Sequence, residues 1–292
     1  EIKIFIPIRK EGQVMANTLF LYDGTAASRL TVQMISGIVS MSNYKIYTEV
    51  PTSLVQYKRI VFAVSPNTDH AWITAVLQQD LSQKDIGIIG VDMADTAWQM
   101  ICSHIKKQME HSLLFTACVH TTAGTEEIIQ AGERLQALNA FPDENDTTVL
   151  DAIETFLQDH NTCVLATGCE NTVRATPIEY VYENGKLYMF SEGGIKFANL
   201  YRNPQVSVAV FDSYAGFEKL AGLQMKGICR IIEPDEETYA IIAEKRGITK
   251  KKIATMPVIL HVLEIELTTA VFLWAGFLKL GKSVRQMYRF SE

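Results

Sequence analysis

Between residues 17 and 139 the sequence alternates continuous apolar runs with segments of helical period, and that alternation constrains the fold more than any other feature. "TLFLY" (18–22) precedes "SRLTVQMISGIVS". "YKIYTEV" and "RIVFAVS" (59–65) precede a helix over about 71–79. "DIGIIGV" (85–91) leads into a helix over about 94–109, and "SLLFTACV" (112–119) into one over about 125–138. Strands that are apolar along their whole length are buried on both faces, and intervening helices make them parallel. Five such strands predict an α/β unit with a doubly wound parallel sheet.

The alternation stops at "NAFPDENDTTV" (139–149), a polar stretch with a proline. The reading is a first domain over 1–140, a linker over 141–149 and a second domain over 150–292. There one helix, "TVLDAIETFLQDH", is followed by strands in quick succession: "CVLAT", "RATPIEYVYE", "KLYMFS", "QVSVAVF" and "LQMKGICRIIE". A helix near 235–246 and a long alternating strand, "ILHVLEIELTTAVFLW", complete the pattern. "ENGK" (183–186) is a strong hairpin turn signal. Many antiparallel strands with few helices predict a small β-barrel.

Of the 292 residues, 48% are apolar and 21% charged, enough for real cores. The net charge is −6, with 11 basic and 16 acidic residues in 1–146 against 16 and 17 in 147–292. An acidic balance argues against a nucleic-acid partner. Five cysteines form no CxxC pair and have no histidine at zinc spacing, which predicts reduced thiols, a cytoplasmic protein and no metal. No apolar run approaches the roughly 20 residues that span a bilayer, so no membrane partner is expected. "EIKIFIPIRK" lacks signal-peptide architecture. The chain opens on Glu1, so it reads as a fragment or a processed form, with Met15 an alternative start.

"SEGGIKFANLYRNPQV" (191–206) is the candidate binding corner, longer than a hairpin needs and helical over 196–202. Arg174 and Thr176 share one face of the preceding strand, and Ser191 and Lys196 follow at the corner. Two cations and two hydroxyls suit a phosphomonoester dianion, with N–H donors from a helix starting near Gly194. The alternative is that Arg174 and Lys196 are solvated surface charges.

The second domain resembles the pyridoxamine-phosphate-oxidase-like family of FMN-binding split barrels. "VLAT", "RATPI", "GKLYMFSEGGIKFANLYRNPQVSV", "LQMKGICRII" and the aromatic last strand with Trp274 carry the likeness, most specifically from Lys196 to Val206. The resemblance implies a homodimer with FMN in a groove at the interface. Arg174 and Lys196 would hold the phosphate, with Ser191 as a hydroxyl donor. Thr176, Pro177 and Ile178 would run beside the ribityl chain or ring; Gln224 and Trp274 would approach from later strands. Ile195 and Glu179 stand where the oxidases carry basic residues, so the pyridoxamine phosphate activity itself is not implied.

The first domain resembles flavodoxin-like domains. "DGTAAS" (23–28) stands where their phosphate loop lies, and Thr25 and Ser28 fit it. Asp23 does not: a carboxylate repels phosphate, although it also suits an N-cap. Ala26 replaces a permissive glycine. Trp72 and Trp98 follow the third and fourth strands, where a flavodoxin grips its ring, or else they cover helix packing. These four residues, Thr25, Ser28, Trp72 and Trp98, form a second candidate FMN site.

GxSxG, HExxH, P-loop and GxGxxG motifs are absent from the sequence, which removes support for the hydrolase, zinc-peptidase, NTPase and common dinucleotide readings. His120 sits at a strand C-terminus, ligand-facing or merely solvated. The stretch 267–291 lacks acidic residues and carries Lys279, Lys282, Arg285 and Arg289, a solvated face or one that meets an anion. The leading reading is an FMN-dependent oxidoreductase of unspecified substrate and electron donor, with no side chain obliged to act as acid or base. Its rivals are a haem-binding or haem-degrading protein on the same barrel, with His261 as ligand, and a flavin-binding module without turnover.

Overall fold

The computed structural model describes residues 18–66, 69, 71–79, 81, 83–108, 113–138 and 146–290. Residues 1–17, with Met15, and residues 141–145 of the expected linker lie outside them. The chain divides into two units, Glu1–Ala140 and Phe141–Glu292.

The first unit runs β1 (Thr18–Tyr22), α1 (Ala26–Ile38), β2 (Ser42–Ile46), β3 (Arg59–Val64), α2 (Ala71–Leu77), β4 (Asp85–Val91), α3 (Asp95–Gln108), β5 (Phe115–Val119) and α4 (Glu126–Ala137). Its five strands are parallel in the order β2-β1-β3-β4-β5, a flavodoxin-like sheet. Alternate residues of each strand feed opposite cores, as the period of two requires. Phe20, Val61 and Ile89 pack with Val32, Ile35, Ile128 and Leu135 on one face. Leu19, Phe62 and Ile88 pack with Ile73, Val76 and Ile105 on the other. The expected strand "YKIYTEV" is shorter than read: β2 stops at Ile46 and Tyr47–Glu49 form a 3₁₀ turn. Its neighbour among the described residues, β1, ends at Tyr22 opposite Ile46, so that ladder does not extend it.

The second unit runs α5 (Thr147–Asp159), β6 (Thr162–Cys169), β7 (Thr172–Glu179), β8 (Val181–Glu183), β9 (Lys186–Ser191), α6 (Ile195–Arg202), β10 (Gln205–Phe211), β11 (Ala221–Ile232), α7 (Glu237–Lys245), α8 (Lys250–Thr255), β12 (His261–Trp274) and β13 (Arg285–Arg289). Residues 147–149, read as linker, are already the first turn of α5, capped by the Asp146 side chain on the Thr148 N–H at 2.8 Å. The sheet is antiparallel in the order β7-β6-β10-β11-β12-β9-β8, with β13 also on β12. β12 pairs with β9 through His261–Glu266 and with β13 through Thr269–Leu273, so one long strand serves both parts of a split barrel. Leu165, Val208, Met225 and Ala270 line its interior, closed by Val149, Ile153 and Leu157 of α5.

Three features differ from the sequence reading. "RATPIEYVYE" is two strands, interrupted at Tyr180, whose N–H turns to the Asn161 carbonyl and whose hydroxyl donates to the Leu157 carbonyl at 2.9 Å. Residues 285–289, read only as part of a basic stretch, are strand β13, and α8 is an additional helix. The register of β11 on β12 shifts between Lys226 and Gly227, which leaves Thr268 as an extra residue in β12. The side chains of β12 therefore change face there: Leu263, Ile265 and Leu267 point inward before it, and Ala270 and Phe272 after it. Among the described residues no helix is long and apolar enough to cross a membrane, and no group of His, Cys, Asp and Glu could hold a metal ion.

Candidate functional site

The hairpin β8–β9 turns through Asn184 and Gly185, both with positive φ (48° and 77°), the geometry of an Asn-Gly two-residue turn. That turn sets the phase of β9, so that Leu187, Met189 and Ser191 all point inward. Ser191 is the last of them and is opposed by His261. The chain then passes through Gly193 (φ 111°) and Gly194 (φ 102°, ψ −179°), conformations that side chains rarely tolerate. No atom lies within 4 Å of where a Gly193 side chain would begin, so the backbone there borders open space. Gly194 caps α6 without a side chain of its own to accept from the first turn, where the Phe197 N–H donates to the Gly194 carbonyl at 3.0 Å.

Lys196 lies in the first turn of α6 and is 8% exposed. Its ammonium donates to the Gly193 carbonyl at 2.5 Å. Burial pushes its pKa down, and the Arg174 guanidinium adds to that, against a smaller opposing effect of Glu192. Among the described residues neither Arg174 nor Lys196 forms an ion pair with a carboxylate. Ser191 is buried, with its hydroxyl 3.3 Å from the Gly193 N–H. The Thr176 hydroxyl is buried and has no hydrogen-bond partner among the described residues. Two cations that form no carboxylate ion pair among the described residues, a hydroxyl without a hydrogen-bond partner there and an open glycine backbone are what a phosphate group requires, so these residues fit one.

The asparagines of the corner hold it in place. Asn199 is buried and donates to the Thr167 carbonyl and hydroxyl of β6, and Asn203 donates to the Gly168 carbonyl at 2.9 Å.

The other expected residues divide by face. Arg174 and Thr176 pair with Thr167 and Leu165 and so share that phase of β7, near α6, with Arg174 exposed to solvent and Thr176 half-buried. Ile178 packs against the core. Pro177 shares the outward ladder with Val164, Ala209, Gln224 and Val271. There Gln224 lines a groove of about 460 Å³ with Phe211, Gly222, Val271, Leu273 and Arg285. Arg285 belongs to the basic stretch that the sequence offers as a solvated face or one that meets an anion; the register of β13 on β12 brings it to the groove, and burial pushes its pKa down. Trp274 is not in the groove: the extra residue in β12 turns it inward, where it stacks on Phe272 (5.6 Å, 3°) and meets Phe277 edge-on. Glu179 is ion-paired with Arg246 of the segment after α7, so the acidic departure at that position is neutralised from nearby. His261, opposite Ser191, packs against Phe197 and lies 3.5 Å from the Glu233 carboxylate.

In the first unit Thr25 caps α1, accepting from the Ser28 N–H at 3.2 Å. Ser28 is fully buried. Trp72 stacks on Tyr47 (5.4 Å, 29°) and meets Phe62 edge-on. Trp98 lies on Gly90 so closely that a side chain there would begin 2.6 Å from its ring.

Residues 149–272 match the family model of pyridoxamine 5'-phosphate oxidase. No curated protein matches the chain. Solved structures that resemble it include a FAD-binding protein from Mesorhizobium loti (20% identity, 40% of this chain and 88% of that one, TM-score 0.34). Others are HutZ, a heme storage protein from Vibrio cholerae (18%, 40% and 88%, 0.34), and Campylobacter jejuni ChuZ (19%, 59% and 68%, 0.39).

Proposed function

We propose that the second unit holds FMN and that the chain works as a flavin-dependent oxidoreductase in a homodimer. The observation that carries this reading is the buried Lys196 beside Arg174, two cations at a glycine corner that form no carboxylate ion pair among the described residues. A phosphomonoester would offset both charges, and the Ser191 hydroxyl and the first N–H groups of α6 would orient it. FMN, when bound, supplies the redox chemistry; the chain anchors and orients it and limits its access to water. Among the described residues β7 is an edge strand, so the backbone of Thr176–Ile178 has a side from which it can meet a ribityl chain or ring.

The two-faced placement supports the dimer. Arg174, Lys196 and Ser191 belong to one face and Gln224 to the other, so one chain does not wrap both sets around one flavin. A second copy can present its outer groove instead, and the exposure of Val173 (80%) and Phe211 (58%) suits surfaces covered by another chain.

The test is the visible spectrum of the purified chain, with FMN titrated by fluorescence quenching into wild type and Lys196→Ala. Flavin bands at one per chain that disappear in Lys196→Ala are expected. Absence of quenching in wild type overturns the reading. Bound flavin that neither NADH nor NADPH reduces leaves a binding module.

A further inference from the structure

In parallel α/β sheets a ligand sits beyond the carboxyl ends of the strands, where the strand order reverses. In the first unit that point lies between β1 and β3, since β2 is on the other side of β1. The residues there are Asp23 to Thr25, after β1, and Ser65, after β3. Asp23 is buried, 6% exposed, and its carboxylate spans the gap. One oxygen accepts from the Thr25 N–H (3.0 Å) and hydroxyl (2.8 Å), the other from the Ser65 N–H (2.6 Å) and hydroxyl (2.7 Å). Two N–H groups and two hydroxyls around one anion are the donor set of a phosphate loop, and here the anion is part of the chain.

We infer that this flavodoxin-like unit binds no FMN, because the Asp23 carboxylate occupies the donors at the switch point where the flavin phosphate would go. Two further observations agree. The tryptophans that would flank a ring are committed elsewhere, Trp72 to Tyr47 and Phe62, and Trp98 to the Gly90 backbone. Two gaps along the same sheet edge, Asp92 after β4 does the same work, accepting from the Thr121 N–H (2.7 Å) and hydroxyl (2.6 Å) after β5. A phosphate entering at β1 and β3 would have to displace a buried carboxylate and then sit beside its charge. The unit has kept the sheet and the donor geometry of a flavin domain and filled the anion position from within.

The 292-residue chain, with both units, decides the matter by stoichiometry. Wild type and Arg174→Ala/Lys196→Ala are titrated with FMN, folding being checked by circular dichroism. The inference expects at most one flavin per wild-type chain and none in the double variant. Two flavins per wild-type chain, or one retained in the folded double variant, would overturn it. No flavin in wild type removes the barrel reading while leaving this one standing. Should the double variant not fold, Ser65→Ala in the wild-type background serves instead: its FMN affinity is expected within twofold of wild type, and a tenfold loss contradicts the inference.

Discussion

Lys196 is held in a charge state that its surroundings disfavour, and the cost has a sign that can be measured. Its folded pKa lies below the ordinary 10.5 because burial and Arg174 both oppose the proton. Between the lowered value and 10.5 the unfolded chain keeps a proton that the folded one has lost, so this group makes stability rise with pH across that window. A bound dianion restores the proton. FMN affinity is therefore expected to fall as pH rises from neutral towards 10.5, and that slope should vanish in Lys196→Met; equal slopes in the two proteins would remove Lys196 from the phosphate. Asn199 acts one step back, as the hydrogen-bonded tie between α6 and β6. Asn199→Ala leaves buried acceptors unpaired, which predicts a loss of about 1–3 kcal/mol in chemical denaturation, with weaker FMN binding because the corner is no longer fixed. At this scale the sequence was partly legible. Arg174, Ser191 and Lys196 can be read as one set because their spacing converts directly into a strand, a turn and a helix start. The use of Asp23 cannot, since its second oxygen is satisfied by Ser65, 42 residues further on.

The elements themselves were largely readable, because burial on both faces writes continuous apolar runs and Asn-Gly writes a hairpin. What escaped reading depends on register. β13 is a short polar strand whose identity comes from its ladder with β12, not from its own composition. The bulge in β12 reverses the inward phase at Thr268, so Trp274 faces the core instead of the groove, while Val271 and Leu273 face the groove. Gly227, at the same irregularity, has no room for a side chain: a Cβ would begin 2.5 Å from the Glu266 carbonyl oxygen and 2.8 Å from Ile265. Gly227→Ala is expected to destabilise the chain by about 1–3 kcal/mol through overpacking against backbone; a denaturation midpoint equal to that of wild type would show that the bulge is soft.

On the scale of the whole molecule, each unit has its own core and its own closed inventory of buried side chains. The feature with the widest consequence is the division of the barrel's candidate ligands between two faces of one sheet. If each flavin takes its phosphate contacts from one chain and its outer-face contacts from another, defects on the two faces belong to different halves of every site. Lys196→Ala and Gln224→Ala chains would each fail alone. Unfolded together and refolded as a mixture, half of the dimers would be hybrids, and each hybrid would contain one site with both defects and one with neither. About a quarter of the wild-type flavin capacity should then return, by the symmetry of random pairing alone. Two damaged polypeptides would repair each other without either regaining its missing side chain, and mixtures that stay colourless would mean that each chain builds its site by itself.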